Sequence, residues 1–285
     1  MKTHTSDTPV WNSKSAIWIT ALAFLVSQFA ALVPYFFVFL FKGEQSAENL
    51  VSGSVSNIGS FVAVAFSAIS LFAVIWLFLR FKKQKISSLG FKKIKKSDFG
   101  WLVLFALGYI VISAVALSLA SLLPGFDVNQ EQEIGFSNPT GWQLILVFVS
   151  LVIVPPLVEE ASFRGFLYRG LKADFDKRIV LYSGIAIVVL AGLFTGNMVS
   201  VMVIALFVIS SVLLAKRSVI LAAAIFTSGT FGLVHGQWNV AIDTFILSMV
   251  MIALYEKTKN LWACVFLHGL KNLVAFLALF VLGAN

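Results

Sequence analysis

The sequence predicts an all-α fold, a polytopic bundle of about eight to nine transmembrane helices. Hydrophobic residues make up 59% of the 285-residue chain and charged residues only 12%, so polar side chains are too few to cover a water-soluble globule of this size. The mean hydropathy is +0.95, and apolar runs repeatedly reach the roughly 20 residues that cross a bilayer. We therefore expect a multi-pass protein of the cell membrane.

About nine apolar segments follow one another along the chain, and each is interpreted as a membrane helix. The first is predicted to be a retained helix, because its apolar run of about 25 residues is too long for the core of a signal peptide. The single cysteine, Cys264, excludes an intramolecular disulfide. The segments lie near residues 16–41, 58–79, 101–123, 142–158, 179–195, 198–215, 219–236, 238–255 and 260–282.

The basic residues are concentrated in one loop, residues 80–99, which carries eight lysines and arginines and one acidic residue. The loops at 42–57 and 124–141 are instead acidic. The positive-inside rule places the 80–99 loop in the cytoplasm, and the segment after the fourth helix, with Arg164 and Arg169, on the same side. Beside two membrane helices such a loop is predicted to meet anionic lipids, and we expect no nucleic-acid partner.

Two adjacent glutamates, Glu159 and Glu160, follow the fourth apolar segment in the stretch VPPLVEEASFRGFLYRG. Pro155 and Pro156 are expected to break or kink the helix and begin a new helical segment, with the glutamates in its first turns. Glu160 and Arg164 are four residues apart in the favourable order for an ion pair, whereas Glu159 points about 100° away. The pattern predicts one paired carboxylate and one unpaired one. Two ordinary interfacial charges remain the alternative.

Two of the three histidines, His235 and His268, lie in apolar segments, where polar side chains usually face the interior of a helix bundle. A lone histidine of this kind is most often a packing residue. His268 and Asn272, however, are four residues apart on one helix face, as are Phe231 and His235. A glutamate, two histidines and an amide supply a base, a proton carrier and hydrogen-bond donors.

Three motifs occur in order: E-E-x-x-x-R from Glu159 to Arg164, F-x-x-x-H at Phe231 and His235, and H-x-x-x-N at His268 and Asn272. Together they resemble those of the CPBP (Abi) family of CAAX proteases and bacteriocin-processing enzymes. The resemblance covers residues 142–282 and implies a catalytic membrane core at 142–285, preceded by N-terminal membrane helices at 1–141, in one integrated domain.

The resemblance implies an intramembrane endopeptidase that cleaves a membrane-embedded or lipidated peptide. By this resemblance Glu159 is the general base, His235 holds the attacking water, and His268 with Asn272 stabilises the oxyanion. Glu160 and Arg164 fix the geometry of the site. Many relatives are called metalloproteases, but no H-E-x-x-H pair is present and an amide is an unusual zinc ligand, so we expect no cofactor, with zinc as the alternative.

Two other classes of function stay open. A proton-coupled transporter could use Glu159 and the histidines as a proton relay, although no repeat mirrors the glutamate motif in the other half of the chain. A non-catalytic immunity or scaffold protein could bind a peptide in the membrane with the same residues. The presence of both a general base and oxyanion donors favours a peptidase.

Overall fold

The computed structural model describes residues 9–52, 55–122, 135–195 and 198–283, with the side chains of residues 191–200 excluded. His4 and most of the acidic loop at 124–141 lie outside the described residues. The described chain is built from helices, without a strand, which confirms the predicted all-α class. A helix is found in each of the nine predicted apolar segments.

Among the described residues before 141, the α-helices are α1 (Ser13–Lys42), α2 (Glu44–Val51), α3 (Ser56–Phe81) and α4 (Lys96–Ala120), with a short 3₁₀ helix at Ile86–Leu89. A continuous helical run from Gln143 to Ala173, which we call the motif helix, follows. It comprises α5 (Gln143–Phe148), a π-helical segment (Val149–Ile153), α6 (Val154–Glu160), a second π-helical segment (Ala161–Tyr168) and α7 (Arg169–Ala173). The last five helices are α8 (Lys177–Thr195), α9 (Met198–Leu214), α10 (Val219–Leu233), α11 (Trp238–Thr258) and α12 (Leu261–Phe276), the last extended by a π-helical turn (Leu277–Val281).

Six helices of the described residues are long and apolar enough to cross a bilayer. They are α1, α3, α4, the motif helix, α11 and α12 with its π-helical turn. Two shorter apolar helices, at Val201–Leu214 and Val219–Leu233, accompany them. The 15 residues of α10 rise only about 22 Å, less than the roughly 30 Å of a hydrocarbon core, so His235 follows the end of a short helix.

The prolines of the motif helix do not interrupt it. Pro155 and Pro156 occupy the first turn of α6, directly after the π-helical segment at Val149–Ile153, as expected for residues that start a helical segment without backbone donors. The new helical segment expected at the prolines is therefore seen as a change from π-helical to α-helical geometry at Val154.

The chain divides into two compact units, and each draws on residues from both sides of position 141. The first comprises Met1–Trp18, Ile86–Gln132 and Phe163–Cys264, and the second comprises Ile19–Lys85, Glu133–Ser162 and Val265–Asn285. The proposed division into N-terminal helices and a catalytic core stays a prediction.

In the first unit, α10 packs against α9 and α11, α8 against α9, and α11 against α4. Glycines allow the close approach: a Cβ atom at Gly232 would lie 2.7 Å from the carbonyl oxygen of Ala241, and one at Gly229 would lie 2.6 Å from the Phe207 ring. Small residues are the usual means by which membrane helices pack closely.

The segment before α1 also belongs to the first unit. The Trp11 indole stacks on Phe166, with ring centroids 4.9 Å apart, and its Nε1–H donates to the Phe166 carbonyl at 3.0 Å. A Cβ atom at Gly170 would lie 2.7 Å from the Trp11 ring, so only glycine leaves room for the indole. Trp11 is buried in this position, although it lies outside every predicted apolar segment.

A polar network joins the ends of α4, α7 and α11. The Asn260 amide donates to Asp98 at 3.0 Å, and Glu256 accepts hydrogen bonds from Lys172 and from the Tyr168 hydroxyl. Arg169 donates to the Ser88 carbonyl, which fixes the loop before α4. Buried charges near a membrane surface are stabilised when each meets a partner, as here.

The second unit has its own core, formed by Phe136, Val147 and Phe276. The Asn57 amide donates to the Ser137 carbonyl at 3.0 Å and to Gln143 Oε1 at 3.1 Å. These contacts hold α3 against the segment that leads into the motif helix, so the beginning of that helix is fixed by polar as well as apolar contacts.

Candidate active site

The motif helix carries the E-E-x-x-x-R motif across a junction between two helical geometries. Glu159 and Glu160 end α6, and Arg164 lies in the π-helical segment Ala161–Tyr168. Segments of π-helix are rare and occur frequently at functional sites, because the extra residue per turn re-aims side chains and leaves backbone groups without their usual partners.

One such backbone group is the carbonyl of Leu151. Its donor would be the amide of residue 155 in an α-helix and of residue 156 in a π-helix, but both residues are prolines and have no N–H. The amide of Val154 is also unavailable, because it donates to the Val149 carbonyl. The sequence therefore leaves this carbonyl without a partner inside its own helix.

Asn272 of α12 supplies the missing donor. Its Nδ2 lies 2.8 Å from the Leu151 carbonyl oxygen. Because a carbonyl only accepts hydrogen bonds, the NH₂ group and not the oxygen of the amide faces Leu151, and this fixes the orientation of the side chain. One N–H of Asn272 is used in this bond, and the NH₂ group carries a second one.

Gly269 brings α12 close to the same stretch of the motif helix. A Cβ atom at this position would lie 3.3 Å from the carbonyl oxygen of Val152, closer than most side chains allow. The α-helical donor of Val152 would be Pro156, so this carbonyl also loses a partner to a proline. The glycine, one residue after His268, lets α12 approach the two proline-exposed carbonyls.

His268 lies between Glu159 and Glu160. Its Nδ1 is 2.9 Å from Oε1 of Glu160, which is fully buried, and its Nε2 is 4.0 Å from Oε2 of Glu159. With Glu160 ionised, Nδ1 carries the hydrogen of the first contact, because a carboxylate oxygen only accepts. The two ring nitrogens thus face two different carboxylates.

Glu159 differs from its neighbour in exposure and in partners. Its side chain is 28% exposed, yet Oε2 is a buried atom without a hydrogen-bond partner among the described residues. Buried acceptors of this kind are rare, and a catalytic role is one of their recognised explanations. Glu160 accepts from His268, a contact that the motif spacing did not predict.

Arg164 heads a second group of predicted residues, which belongs to the first unit. The guanidinium is fully buried, and its central carbon lies 4.2 Å from the centroid of the Phe231 ring. Phe231 also meets the edges of Phe163 and His235, each at a centroid distance of 4.9 Å. Phe231 is therefore the centre of a cation–π and aromatic cluster, which explains its place in the second motif.

His235 is oriented by the residue that begins its motif. Its Nδ1 lies 2.7 Å from the Phe231 carbonyl oxygen, so this nitrogen carries a hydrogen and the neutral ring presents Nε2 as an acceptor. The four-residue spacing of F-x-x-x-H produces this bond directly, since residues four apart share one helix face.

The six predicted site residues therefore form two groups. Glu159, Glu160, His268 and Asn272 lie together in the second unit, and Arg164 and His235 lie together in the first. The predicted ion pair between Glu160 and Arg164 joins residues of different units and stays a prediction. The catalytic roles assigned to all six residues also stay predictions.

Besides the contact between Glu160 and His268, sequence reasoning missed two other features of the described residues. The first is the contact of Asn272 with Leu151, for which the adjacent prolines were the available signal. The second is Asp243, the only acidic residue in the apolar segment 238–255, which accepts hydrogen bonds from Tyr109 at 2.6 Å and Ser113 at 2.7 Å. An isolated carboxylate in a membrane helix is itself a signal for such partners.

A catalytic zinc ion takes three protein ligands, usually histidine, cysteine, aspartate or glutamate side chains. No group of three histidine, cysteine, aspartate or glutamate side chains that could hold a metal ion occurs in the part of the chain that the structure describes. The expectation that the chain needs no cofactor, with zinc as the alternative, stays a prediction.

The comparison with protein families agrees with the motifs. The model of the Rce1-like type II CAAX prenyl endopeptidases matches residues 141–221 and 207–274, just under half of the chain, and this stretch contains all six predicted site residues. The curated proteins and the solved structures compared with the chain gave no match. The resemblance predicted from the motifs is thus confirmed, and the chain is a membrane protein related to the CAAX-type intramembrane proteases, a family of peptidases.

Proposed function

We propose that this chain is an intramembrane endopeptidase in which Glu159 activates a water molecule to hydrolyse a peptide bond. The observation that carries the proposal is the contrast between the two glutamates: Glu160 is fully buried and bonded to His268, while the Glu159 side chain is 28% exposed and makes no such bond to the ring. A general base needs an acceptor that is not already occupied.

In this proposal Oε2 of Glu159 takes a proton from the attacking water. The resulting hydroxide adds to the carbonyl carbon of the scissile bond, and the proton passes to the leaving amine when that bond breaks. The resemblance assigns His235 to the same water. Its tautomer suits this role, because Nε2 of the neutral ring accepts a hydrogen bond from water.

His268 and Asn272 stabilise the negative oxygen that forms on the substrate carbonyl. His268 donates from Nε2 in its imidazolium form, and the contact of Nδ1 with Glu160 holds the ring in place. Asn272 donates from the N–H that the Leu151 carbonyl does not accept. Donors that are held in place before the reaction stabilise charge without reorganising.

The substrate is proposed to be a membrane-embedded or lipidated peptide. The family that the chain resembles is described as prenyl endopeptidases, which supports a prenylated peptide as the first candidate. The six helices able to cross a membrane would bring the enzyme to such a substrate, and we propose the cell membrane as its location.

The experiment is a cleavage assay on purified protein in lipid nanodiscs, with peptides that are identical except for a prenyl group. Glu159→Gln keeps the shape of the side chain but removes the base, so turnover is expected to fall about 10²- to 10⁴-fold. The melting temperature of the variant shows whether the fold is retained. Near-wild-type turnover in this variant rules out the proposed base, and no cleavage by the wild type favours a non-catalytic binder.

A further inference from the structure

A groove of about 610 Å³ lies between α4 and α11, within the first unit and apart from every predicted site residue. Its lining is almost wholly apolar and includes Trp101, Phe105 and Gly108 of α4 and Phe245 and Met249 of α11. Cavities of this size are typical of sites for small molecules. Both helices are candidates for membrane spans, so the groove faces the hydrocarbon of a bilayer.

The length of the groove matches one leaflet. Its lining on α4 runs from Trp101 to Ile112, and the distance between these two residues along the helix is about 16 Å. Half of a hydrocarbon core is about 15 Å. Leu104 and Ile112 are more than half exposed, so the groove opens sideways and a lipid chain can enter it from the bilayer.

The two ends of the groove differ in charge. At the end near Trp101, the Lys257 ammonium lies 4.2 Å from the centroid of the indole ring, and α4 begins with Lys96. At the other end, Asp243 accepts hydrogen bonds from Tyr109 and Ser113. A molecule in the groove therefore meets a cation at one end and a carboxylate with its hydroxyl donors at the other.

The acidic side chains near Lys257 are already engaged with other groups. Glu256 accepts from Lys172 and Lys259, and Asp98 accepts from the Asn260 amide and from the Lys95 backbone N–H. Lys257 is exposed and lies over Trp101 instead. An indole next to an exposed lysine is the usual arrangement at the headgroup level of a membrane.

We propose that this groove is a binding site for one anionic phospholipid, with an acyl chain along α4 and the phosphate at Lys257. The apolar lining takes the chain, the leaflet-sized length fixes its depth, and the basic end selects a headgroup with net negative charge. A zwitterionic lipid of the same chain length gains less from Lys257, because its own cation opposes the contact. This site does not depend on the proposed peptidase activity.

The chain offers a matched pair of variants for the test. A Cβ atom at Gly108 would meet no other atom within 4 Å, so Gly108→Leu fills the groove without a clash. Gly100, also in α4 and also with open space at its Cβ position, does not line the groove. Gly100→Leu therefore adds the same bulk to the same helix outside the site, and both changes improve helix propensity.

The measurement is native mass spectrometry of protein taken from nanodiscs that contain equal amounts of phosphatidylglycerol and phosphatidylcholine with identical chains. We expect one phosphatidylglycerol to stay bound to the wild type and to Gly100→Leu, and to be lost from Gly108→Leu. Circular dichroism and thermal melting show that the two glycine variants are folded. If Gly108→Leu and Gly100→Leu retain equal amounts of phosphatidylglycerol, the groove is not the lipid site.

A second pair tests the headgroup without changing the groove. Lys257→Gln is expected to lower the preference for phosphatidylglycerol about fivefold, since one lysine near a membrane surface contributes about this much. Lys216→Gln removes an exposed lysine from the turn after α9 and is expected to leave the preference unchanged. Equal retention of both lipids, or of detergent, by the wild type overturns the proposal of an anionic ligand.

Discussion

Glu159 and Glu160 are adjacent in sequence, yet their surroundings are different. Glu160 is fully buried against Nδ1 of His268, whereas Glu159 is partly exposed and lies farther from Nε2 of the same ring. Pairs of carboxylates whose environments differ commonly divide the work of catalysis between them. In the proposed site, Glu160 orients the imidazole through Nδ1, and Glu159 acts on water.

Asn272→Ala tests the oxyanion assignment at a single residue. Removing one donor to a developing oxyanion costs about 10²- to 10³-fold in turnover, so we expect kcat to fall by this factor. KM is expected to change little, because the donor acts mainly in the transition state. Steady-state kinetics with a cleavable peptide measure both quantities.

Asn57→Ala is the control for this prediction. Asn57 also donates its amide to a backbone carbonyl of the second unit, that of Ser137, but it carries no predicted catalytic role. We expect this variant to lower the melting temperature and to keep kcat at temperatures where the protein is folded. A similar fall in kcat for both variants would show that Asn272 is only structural.

Arg164→Ala is expected to lower stability as well as activity. The side chain is fully buried over Phe231. If Glu160 is its partner, as the motif spacing predicts, removing one member of this buried ion pair costs about 3 to 5 kcal/mol. Arg178→Ala changes an exposed arginine on α8 and is expected to melt like the wild type. Thermal melting in detergent compares the two.

The predicted partner of Arg164 can be tested by a double-mutant cycle with Glu160→Gln. If the two side chains form an ion pair, the double variant is less destabilised than the sum of the single variants. If the losses of unfolding free energy in the two single variants add exactly, Arg164 stabilises the protein through its aromatic contacts and not through Glu160.

The two prolines of the motif helix determine where the Asn272 side chain is bound. The two prolines remove the donors of the Leu151 carbonyl, and the amide of Asn272, 121 residues later in the chain, replaces them. A carbonyl that lacks a hydrogen bond within its own helix accepts one from a side chain of the candidate site. The two prolines therefore orient the proposed oxyanion donor through the backbone.

Replacing both prolines with alanine tests this connection. The new amides give the Leu151 carbonyl a donor within its own helix, so Asn272 loses its acceptor and its fixed orientation. A neutral hydrogen bond contributes about 0.5 to 1.5 kcal/mol, and we expect kcat to fall roughly two- to tenfold while the melting temperature is unchanged or higher. Peptide turnover and thermal melting measure the two effects.

Pro34→Ala in α1 is the matched control, because it also removes a proline from inside a membrane helix. It is expected to keep full turnover. Adding Asn272→Ala to the double proline variant is expected to cost less than in the wild type, since the amide is already displaced. Full independence of the two changes would contradict the connection.

The elements were predictable, and several contacts between them were not. Composition and apolar length were sufficient for the all-α fold, and the four-residue spacing of Phe231 and His235 leads directly to the observed bond. The contact between Glu160 and His268 joins residues 108 apart in sequence, and nothing in either segment specifies the other. Motif order brought both residues into the candidate site, but only packing selects which carboxylate meets the ring.

For the whole molecule, the metal content separates the two hydrolytic mechanisms. No H-E-x-x-H pair occurs in the sequence and the Asn272 amide would be an unusual zinc ligand, so we expect the active protein to contain substoichiometric zinc. Strong chelators should therefore leave turnover intact. Elemental analysis and a chelator titration on the same preparation measure this.

A zinc ion bound through His268 would contradict the metal-free mechanism. One tightly bound zinc per chain that is absent from His268→Ala, with chelated wild type recovering activity when zinc is added, would make this chain a metalloprotease. The His268 ring would then be a ligand and not a donor to the oxyanion.

Trp11 has a consequence for the order in which the molecule is made. Its indole stacks on Phe166 and fills the space that Gly170 leaves, and the two partners of its hydrogen bond are 155 residues apart. At about 5 to 20 residues per second, ribosomes synthesise Phe166 roughly 10 to 30 seconds after Trp11. Until then this tryptophan lacks the partners that bury it, so the segment that contains Trp11 is fixed only after the E-E-x-x-x-R motif has been translated.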